Sequence, residues 1–308
     1  MANTLLTPTA IARQALATLY ESMVMQPLVY TDLSTEFTTQ KIGDVVNVRK
    51  PAVFEATDFD RATGIQVQDV TEGSLQVHLN KIADVSFKVT SEELTLEILD
   101  FDEQLLTPAM MAIAQKIDKA ILALRSDVTQ IAGLPAPAGP AGFEWDKPEA
   151  LIEAGRLLDL KNVPEVGRQA VVGPTTKARW LNSDLIKNAD RSGSTDGLRR
   201  ASVGANLFGH DVYQTQNVGQ PPTSPAPGDP TTEIGVAFHP SAFAFVSAPL
   251  EIPPGATAAV ESYRGLSVRV AYDYDHPRKQ TIVSIDTLYG CKTLDPNRAV
   301  LIKGADQA

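Results

Sequence analysis

Asp273, Asp275 and His276 close the stretch "AYDYDH". On a strand the two aspartates share one face, because strand side chains alternate with a period of two. Two carboxylates beside an imidazole are a ligand set that suits a divalent cation. With a metal held there, the chain would be an α/β metal-dependent enzyme. The same residue types also gather in turns, for backbone reasons. Read that way, "LSVRVAYDYD" runs out, "HPRKQ" turns and "TIVSIDTLYG" returns as a β-hairpin. The hairpin is the simpler account, and the metal site is its alternative.

A second candidate lies in "AFHPSAFAF", where His239 stands directly before Pro240 and two residues before Ser241. An imidazole base and a hydroxyl are components of a serine hydrolase, but such partners meet in space and gain nothing from adjacency in sequence. Proline restricts the residue before it to extended backbone. His239 therefore reads as the residue that turns the chain from a strand ending at Phe238 into an element beginning near Ser241. No nucleophile elbow, dinucleotide fingerprint or phosphate-binding loop is present. The four histidines, His78, His210, His239 and His276, are far apart and form no H-x-H or H-x-x-x-H pair. Cys291 is the only cysteine, so neither an internal disulfide nor a thiolate cluster can form. The expectation is a chain without catalytic residues, cofactor or metal.

Charge narrows the partners. Lys and Arg number 27 against 37 Asp and Glu, a balance of −10. So acidic a chain repels phosphate backbones, and no basic cluster overrides the sum. Direct nucleic-acid binding is not expected, although a smooth negative surface facing a nucleic acid would let the polymer slide. The first residues lack a basic n-region, and Arg13 and Glu21 interrupt their apolar run, so they do not read as a signal peptide. No stretch approaches the roughly 20 apolar residues of a membrane span. A soluble protein made inside a cell is expected, its 308 residues sufficient for two lobes.

The elements that must position these residues follow from periodicity. Thr7 and Pro8 suit a helix start, and Ile11, Leu16, Leu19, Tyr20 and Met23 then recur at helical spacing. That face packs either on its own core or on a neighbouring subunit. From Gly43 the texture turns to β: "GDVVNVRKP" and "HLNKIADVSFKVT" bracket a polar stretch, so a long two-stranded excursion is expected. Such a hairpin is marginal alone in water and needs other surfaces. "SEELTLEILDFDEQLLTPAMMAIAQKIDKAILALRSDV" reads as one long helix lying across a sheet, restarted or bent at Thr107-Pro108. Its stripe is Ile113, Ile117, Ile121, Leu124 and Val128, with Lys116, Asp118 and Lys119 mostly off it. "GLPAPAGPAG" is a connector between lobes. Beyond it, helix "KPEALIEAGRLLDLK", strand "RQAVVG" and helix "PTTKARWLNSDLIKNA" predict a mixed α/β lobe. "NADRSGSTDGLRR" reads as a polar loop, and five prolines between 221 and 230 bar regular structure there. "IGVAF", "AFAFV", "GLSVRVAYDYD" and "QTIVSIDTLYG" complete the chain as strands.

Charges on the protruding excursion have two readings. Arg49, Lys50, Glu55, Asp58, Asp60 and Arg61 form a solvated loop, where exposed pairs are worth about 0–1 kcal/mol each. Equally, they pair with neighbouring subunits, where weak contacts repeated around a closed lattice become collectively strong.

Several stretches taken in order carry a family resemblance. They are "MVMQPLVYTDLSTEF" followed by "KIGDVVNVRKP", "KVTSEEL", "NVPEVGRQAVVGP" with "TKARWL", "GANLFGHDVYQTQNV", "AFHPSAFAFVSAPLE", and "GLSVRVAYDYD" through "SIDTLYGCKTLDPNRAVLI". Together, from about Leu5 to Ile302, the chain resembles the major capsid proteins of tailed bacteriophages, in particular the podovirus-type coat proteins with the Hong Kong 97-type fold. The resemblance implies an α+β fold divided into an N-terminal arm (1–35), an extended β-hairpin loop (36–90), a peripheral domain with a long spine helix (91–140), an axial α/β domain (141–255) and return strands of the peripheral domain (256–308). It implies a structural protein that assembles with itself, as hexamers and pentamers, into an icosahedral shell around double-stranded DNA. Scaffolding, portal and decoration proteins of the same phage would be partners, DNA would be near by packaging only, and no membrane would be involved. The location implied is the virion capsid, assembled in the bacterial host's cytoplasm. The irregular stretches are too short for the inserted domain some relatives carry, and no motif assigns a covalent cross-link to a particular lysine. An encapsulin-like compartment, sharing the fold but enclosing an enzyme cargo, is the nearest alternative, and a tail or connector protein forming rings is another.

Overall fold

A computed structural model of the chain describes residues 12–13, 15–16, 19, 23–31, 45–50, 61, 73–90, 105–188, 206–263 and 265–307. Among them the strands are β1 (Val45–Lys50), β2 (Gly73–His78), β3 (Lys81–Thr90), β4 (Ile131–Ala132), β5 (Gln169–Val172), β6 (Asp211–Gln214), β7 (Gly235–Phe238), β8 (Phe243–Ala248), β9 (Thr257–Tyr263), β10 (Leu266–Asp275), β11 (Gln280–Thr293) and β12 (Ala299–Ile302). The helices are α1 (Thr107–Leu122), α2 (Ala150–Asp159), α3 (Pro174–Leu181) and α4 (Asp184–Lys187).

The longest strand organises the larger sheet. β11 pairs antiparallel with β3 on one side and with β10 on the other, β10 pairs with β9, and the far end of β11 pairs with β8. β3 shows why it sits at one side: Ala83 and Val89 are buried while Ile82, Asp84, Ser86 and Lys88 are exposed, the alternation of a strand with one wet face. α1 lies across the buried face, and Pro108 occupies its first turn, where a missing N–H costs nothing. Ile113, Ile117, Ile121 and Val128 of the expected stripe are buried in this core. So are Ala12, Ala15, Leu16, Leu19 and Met23, so the described helical residues near the N-terminus pack on the chain's own core. Thr7, Pro8 and residues 91–104 lie outside the described residues.

The smaller sheet has the order β4-β12-β7-β5-β6 and mixes parallel and antiparallel pairs. Its central strands are continuous apolar runs because both faces are covered. Val171, Val236, Phe238, Ala299 and Leu301 face the core shared with the larger sheet. Ala170, Val172, Ala237, Val300 and Ile302 face Leu151, Ala154, Leu158 and Trp180, residues of α2 and α3. The prolines between 221 and 230 do form irregular chain, held against the C-terminal residues by Gly228 N to Gln307 O and Gln307 N to Asp229 O, both 2.8 Å.

Two expectations need correction. β1 pairs with Gly73–His78, in the register Val45↔His78 to Lys50↔Gly73, and not with the run beyond His78. That run is β3, paired along its length with β11. β8 belongs to the larger sheet and β12 to the smaller. The helix expected over 174–189 is two, because Ser183 takes extended backbone and its hydroxyl accepts from Leu185 N to start α4.

Candidate assembly surface and the junctions behind it

The excursion stands on a small core of its own. Val46, Val77 and Leu79 are buried against Ala244, Val246 and Ala248 of β8, whose other side chains, Phe243 and Phe245, enter the main core. Each such aliphatic side chain stabilises the base by about 2 kcal/mol. The chain then crosses β11 at Gly290, where a Cβ would stand 2.2 Å from His78 O. Lys292 Nζ donates to Gln76 O at 3.0 Å beside it. Base and core are thus one unit. Of the six charged candidates, Arg49 and Lys50 occupy the last ladder positions, opposite Ser74 and Gly73, and Arg61 is exposed in a turn. Glu55, Asp58 and Asp60, and the side chains of Arg49 and Lys50, lie outside the described residues.

The aspartate-histidine stretch is a hairpin end. Asp275 pairs with Gln280 as the last rung of β10 and β11, and Lys279 takes a left-handed backbone (φ 52) to close the turn. The Asp275 carboxylate accepts from Arg278 N at 3.3 Å and Arg278 Nη1 at 3.2 Å. His276 packs edge-on against Tyr274, ring centroids 4.8 Å apart. His78 ends β2, His210 is buried before β6, and His239 lies in a turn. Among the described residues no three His, Cys, Asp or Glu side chains gather as metal ligands, and no helix is long and apolar enough to cross a membrane.

His239 and Ser241 do touch, with Nδ1 2.7 Å from Oγ. The contact belongs to a cap. His239 Nδ1 also accepts from Ser241 N, and Arg298 Nη1 donates to Ser241 Oγ at 2.7 Å. Burial first, then the Arg298 and Arg168 cations, pushes the imidazole pKa down, so Nδ1 stays free to accept. The serine hydroxyl is committed at both ends, to the ring and to a guanidinium that lowers its nucleophilicity. Ser241→Ala is expected to cost about 1 kcal/mol in denaturant unfolding and to leave any turnover of a chromogenic ester unchanged. Turnover of a chromogenic ester that disappears with Ser241 would contradict the cap.

Two polar side chains, Asp118 of α1 and Arg125 of the 3-10 turn that follows it, hold the lobes together. Asp118, only 1% exposed, accepts from Val24 N (3.1 Å), Met25 N (3.0 Å) and Asn217 Nδ2 (3.4 Å). Arg125, in the 3-10 turn Ala123–Asp127 directly after α1, donates through Nη1 to Val218 O (3.0 Å) and Ile234 O (2.8 Å). The sequence reading set Asp118 off the stripe. A second row at steps of four, Met110, Ala114, Asp118 and Leu122, was the signal: all four are buried.

Glu233, 2% exposed, anchors the smaller lobe in the same manner. It accepts from Thr175 N (3.0 Å), Thr176 N (2.8 Å) and Thr176 Oγ1 (2.9 Å) at the start of α3, and from Gln220 Nε2 in the loop after the 216–218 turn. Gly173 leaves the room, since a Cβ there would meet the carboxylate at 2.5 Å. Burial alone would push the Glu233 carboxyl up, but the bonds from Thr176 and Thr175 outweigh it and hold the pKa below its ordinary value. Its stabilisation is therefore full above the unfolded glutamate pKa and is lost as pH falls through the lower folded value. Glu233→Ala strands four donors and is expected to cost about 3 kcal/mol at pH 7, less as acid protonates the wild type. Equal denaturation midpoints at pH 7 would contradict it.

No family model matches the chain and no curated protein matches it by sequence. Solved structures do match. A structure of Mycobacterium phage Che8 aligns with 23% identity and TM-score 0.66 over 91% of this chain and 90% of that chain. The capsid of cyanophage P-SCSP1u aligns with 16% identity and TM-score 0.64 over 87% and 86%. A virus-like particle from Pyrococcus furiosus aligns with 13% identity and TM-score 0.50 over 94% and 98%. At these identities the likeness is one of fold: the mixed α+β architecture of phage capsid structures, as the resemblance implied.

Proposed function

We propose that this chain is the major capsid protein of a tailed bacteriophage, a structural subunit that assembles with copies of itself into the icosahedral shell enclosing double-stranded DNA. The observation that carries the reading is the likeness to the Che8 phage structure over about nine-tenths of both chains. The anchored excursion supports it, because a two-stranded ribbon is marginal alone in water and needs other surfaces to pack on. So does the −10 charge, which keeps packed DNA from adhering. In this reading residues 1–35 form an arm, the extended loop ends before β3, α1 is the spine of a peripheral lobe, and the axial lobe takes in β12. Arg49, Lys50, Glu55, Asp58, Asp60 and Arg61 make contacts between subunits. Scaffolding, portal and decoration proteins of the same phage are the partners, no catalysis is involved, and assembly takes place in the host cytoplasm.

The virus-like particle with the same fold supports a second reading, a compartment that encloses a protein cargo. Contents decide between them. Particles from cells carrying the complete set of phage genes are expected to protect double-stranded DNA from nuclease, and particles filled with one host enzyme would favour the compartment.

A further inference from the structure

We propose that Phe208, at the tip of the turn Leu207–His210, is an aromatic anchor that seats on a second copy of this chain. The choice of partner rests on the proposed function. Leu207 and His210 exchange both backbone hydrogen bonds, Leu207 N to His210 O at 2.8 Å and His210 N to Leu207 O at 3.0 Å, so Phe208 and Gly209 make the bend between them. Both have positive φ, 49° at Phe208 and 79° at Gly209. Bends of this kind favour Asn, Asp and Gly, because in the left-handed region a bulky side chain crowds its own backbone. Phe208 therefore sits there against its local preference. Its neighbours hold it: the buried His210 ring donates from Nδ1 to Phe208 O at 3.1 Å, and Asp211 Oδ1 accepts from Asn206 N at 3.1 Å. Strain held in this way clusters at functional positions.

Core packing is not the reason for the ring. Leu207 and Val212, to either side, pack on the core behind the smaller sheet, while Phe208 is 39% exposed. β6 is the outer strand of that sheet and adds Tyr213, also 39% exposed. Exposed aromatic rings on a stiff support make good interface anchors, since they cover a large area and lose little freedom on docking. Charge selects the partner. Copies carrying −10 each repel, so they meet most readily where the surface is uncharged. From Ala201 to Gly228 the sequence has one charged residue, Asp211, in a chain that is 21% charged. Behind the turn, Arg168 and Asp159 cancel in an ion pair of 2.6 Å. Lys177 reaches β6 at Gln214 Oε1 (2.8 Å), the end of the strand away from the turn. A nucleic acid would need cations at the tip and a basic partner would need carboxylates. A second copy needs the rings and the lack of charge.

The experiment compares wild type, Phe208→Asn and Phe208→Tyr as full-length chains, by denaturant unfolding and by sedimentation under assembly conditions. Phe208→Asn relieves the backbone at the bend, so its unfolding midpoint is expected to equal or exceed the wild-type value. Its threshold concentration for association is expected to rise at least about tenfold. Phe208→Tyr keeps the ring and is expected to associate as the wild type does. Hydroxyl-radical footprinting of the wild type needs no variant: oxidation of the Phe208 ring should fall when copies associate. An asparagine variant that associates like wild type, or that unfolds earlier and for that reason associates weakly, overturns the anchor and leaves the shell reading standing. So does a tyrosine variant as weak as the asparagine one. A Phe208 ring oxidised equally in free and associated subunits, or protected by scaffolding protein before copies meet, has the same meaning. A wild type that never self-associates overturns both.

Discussion

Deleting residues 55–72 is expected to leave a subunit that folds and does not form closed shells. The ladder and the apolar contacts with β8 that hold the base of the excursion are made by residues outside 55–72. The base of the excursion keeps its ladder from Val45↔His78 to Lys50↔Gly73 and its apolar contacts with β8, so a short turn joining Lys50 to Gly73 closes it without strain elsewhere. Unfolding midpoint and near-UV spectrum should match the full chain. What disappears is reach, together with Glu55, Asp58, Asp60 and Arg61. Contacts individually worth less than about 1 kcal/mol bind a lattice only when every subunit makes them. Assembly should then fail almost completely, read as the loss of the fast-sedimenting boundary. Normal shells from the deletion would place the assembly contacts on the lobes.

Replacing Gly290 by alanine is expected to destabilise the fold by about 3 kcal/mol, the upper range for an overfilled site. The added methyl would stand 2.2 Å from His78 O and 2.9 Å from His78 C, and backbone cannot rotate aside as a side chain can. Either β11 or the β2–β3 crossing must move. Movement of the crossing would pull Val77 and Leu79 off β8 and break the bond from Lys292 Nζ to Gln76 O. Denaturant unfolding measures the loss, and protease cleavage near Arg61, at an exposed turn, should quicken with it. A variant as stable as the wild type would mean that the excursion does not cross β11 at this point.

How much of this was legible depended on how local the deciding interaction is. The turn at His239 could be read because Pro240 imposes it on its neighbour. The hairpin at Asp273–His276 followed from strand periodicity on both sides. The run "IGVAF" read as a strand, but not its place beside Ala299–Ile302, which joins residues more than 60 apart. The partner of β1 was misread for the same reason. "IADVSFKV" is the stronger β run, but its partner is β11, about 200 residues later, and nothing near Lys81 encodes that choice. Asp118 carries a local signal, a carboxylate in a buried row, but its meaning comes from Val24 and Asn217. The break at Ser183 was signalled by a serine before an aspartate, and the apolar period carried the helix reading past it. The charged candidates between Arg49 and Arg61 act, in the proposed function, on another copy, and one chain's sequence does not contain its partner's position.

Electron microscopy of the purified full-length protein under assembly conditions, with the phage's scaffolding protein added, tests the central claim most directly. The expected result is closed icosahedral shells of one size, each subunit showing the two sheets joined by α1 and extending its residues 51–72 over an adjacent copy. Rings, tubes or a persistent small oligomer in the presence of scaffolding protein would contradict it.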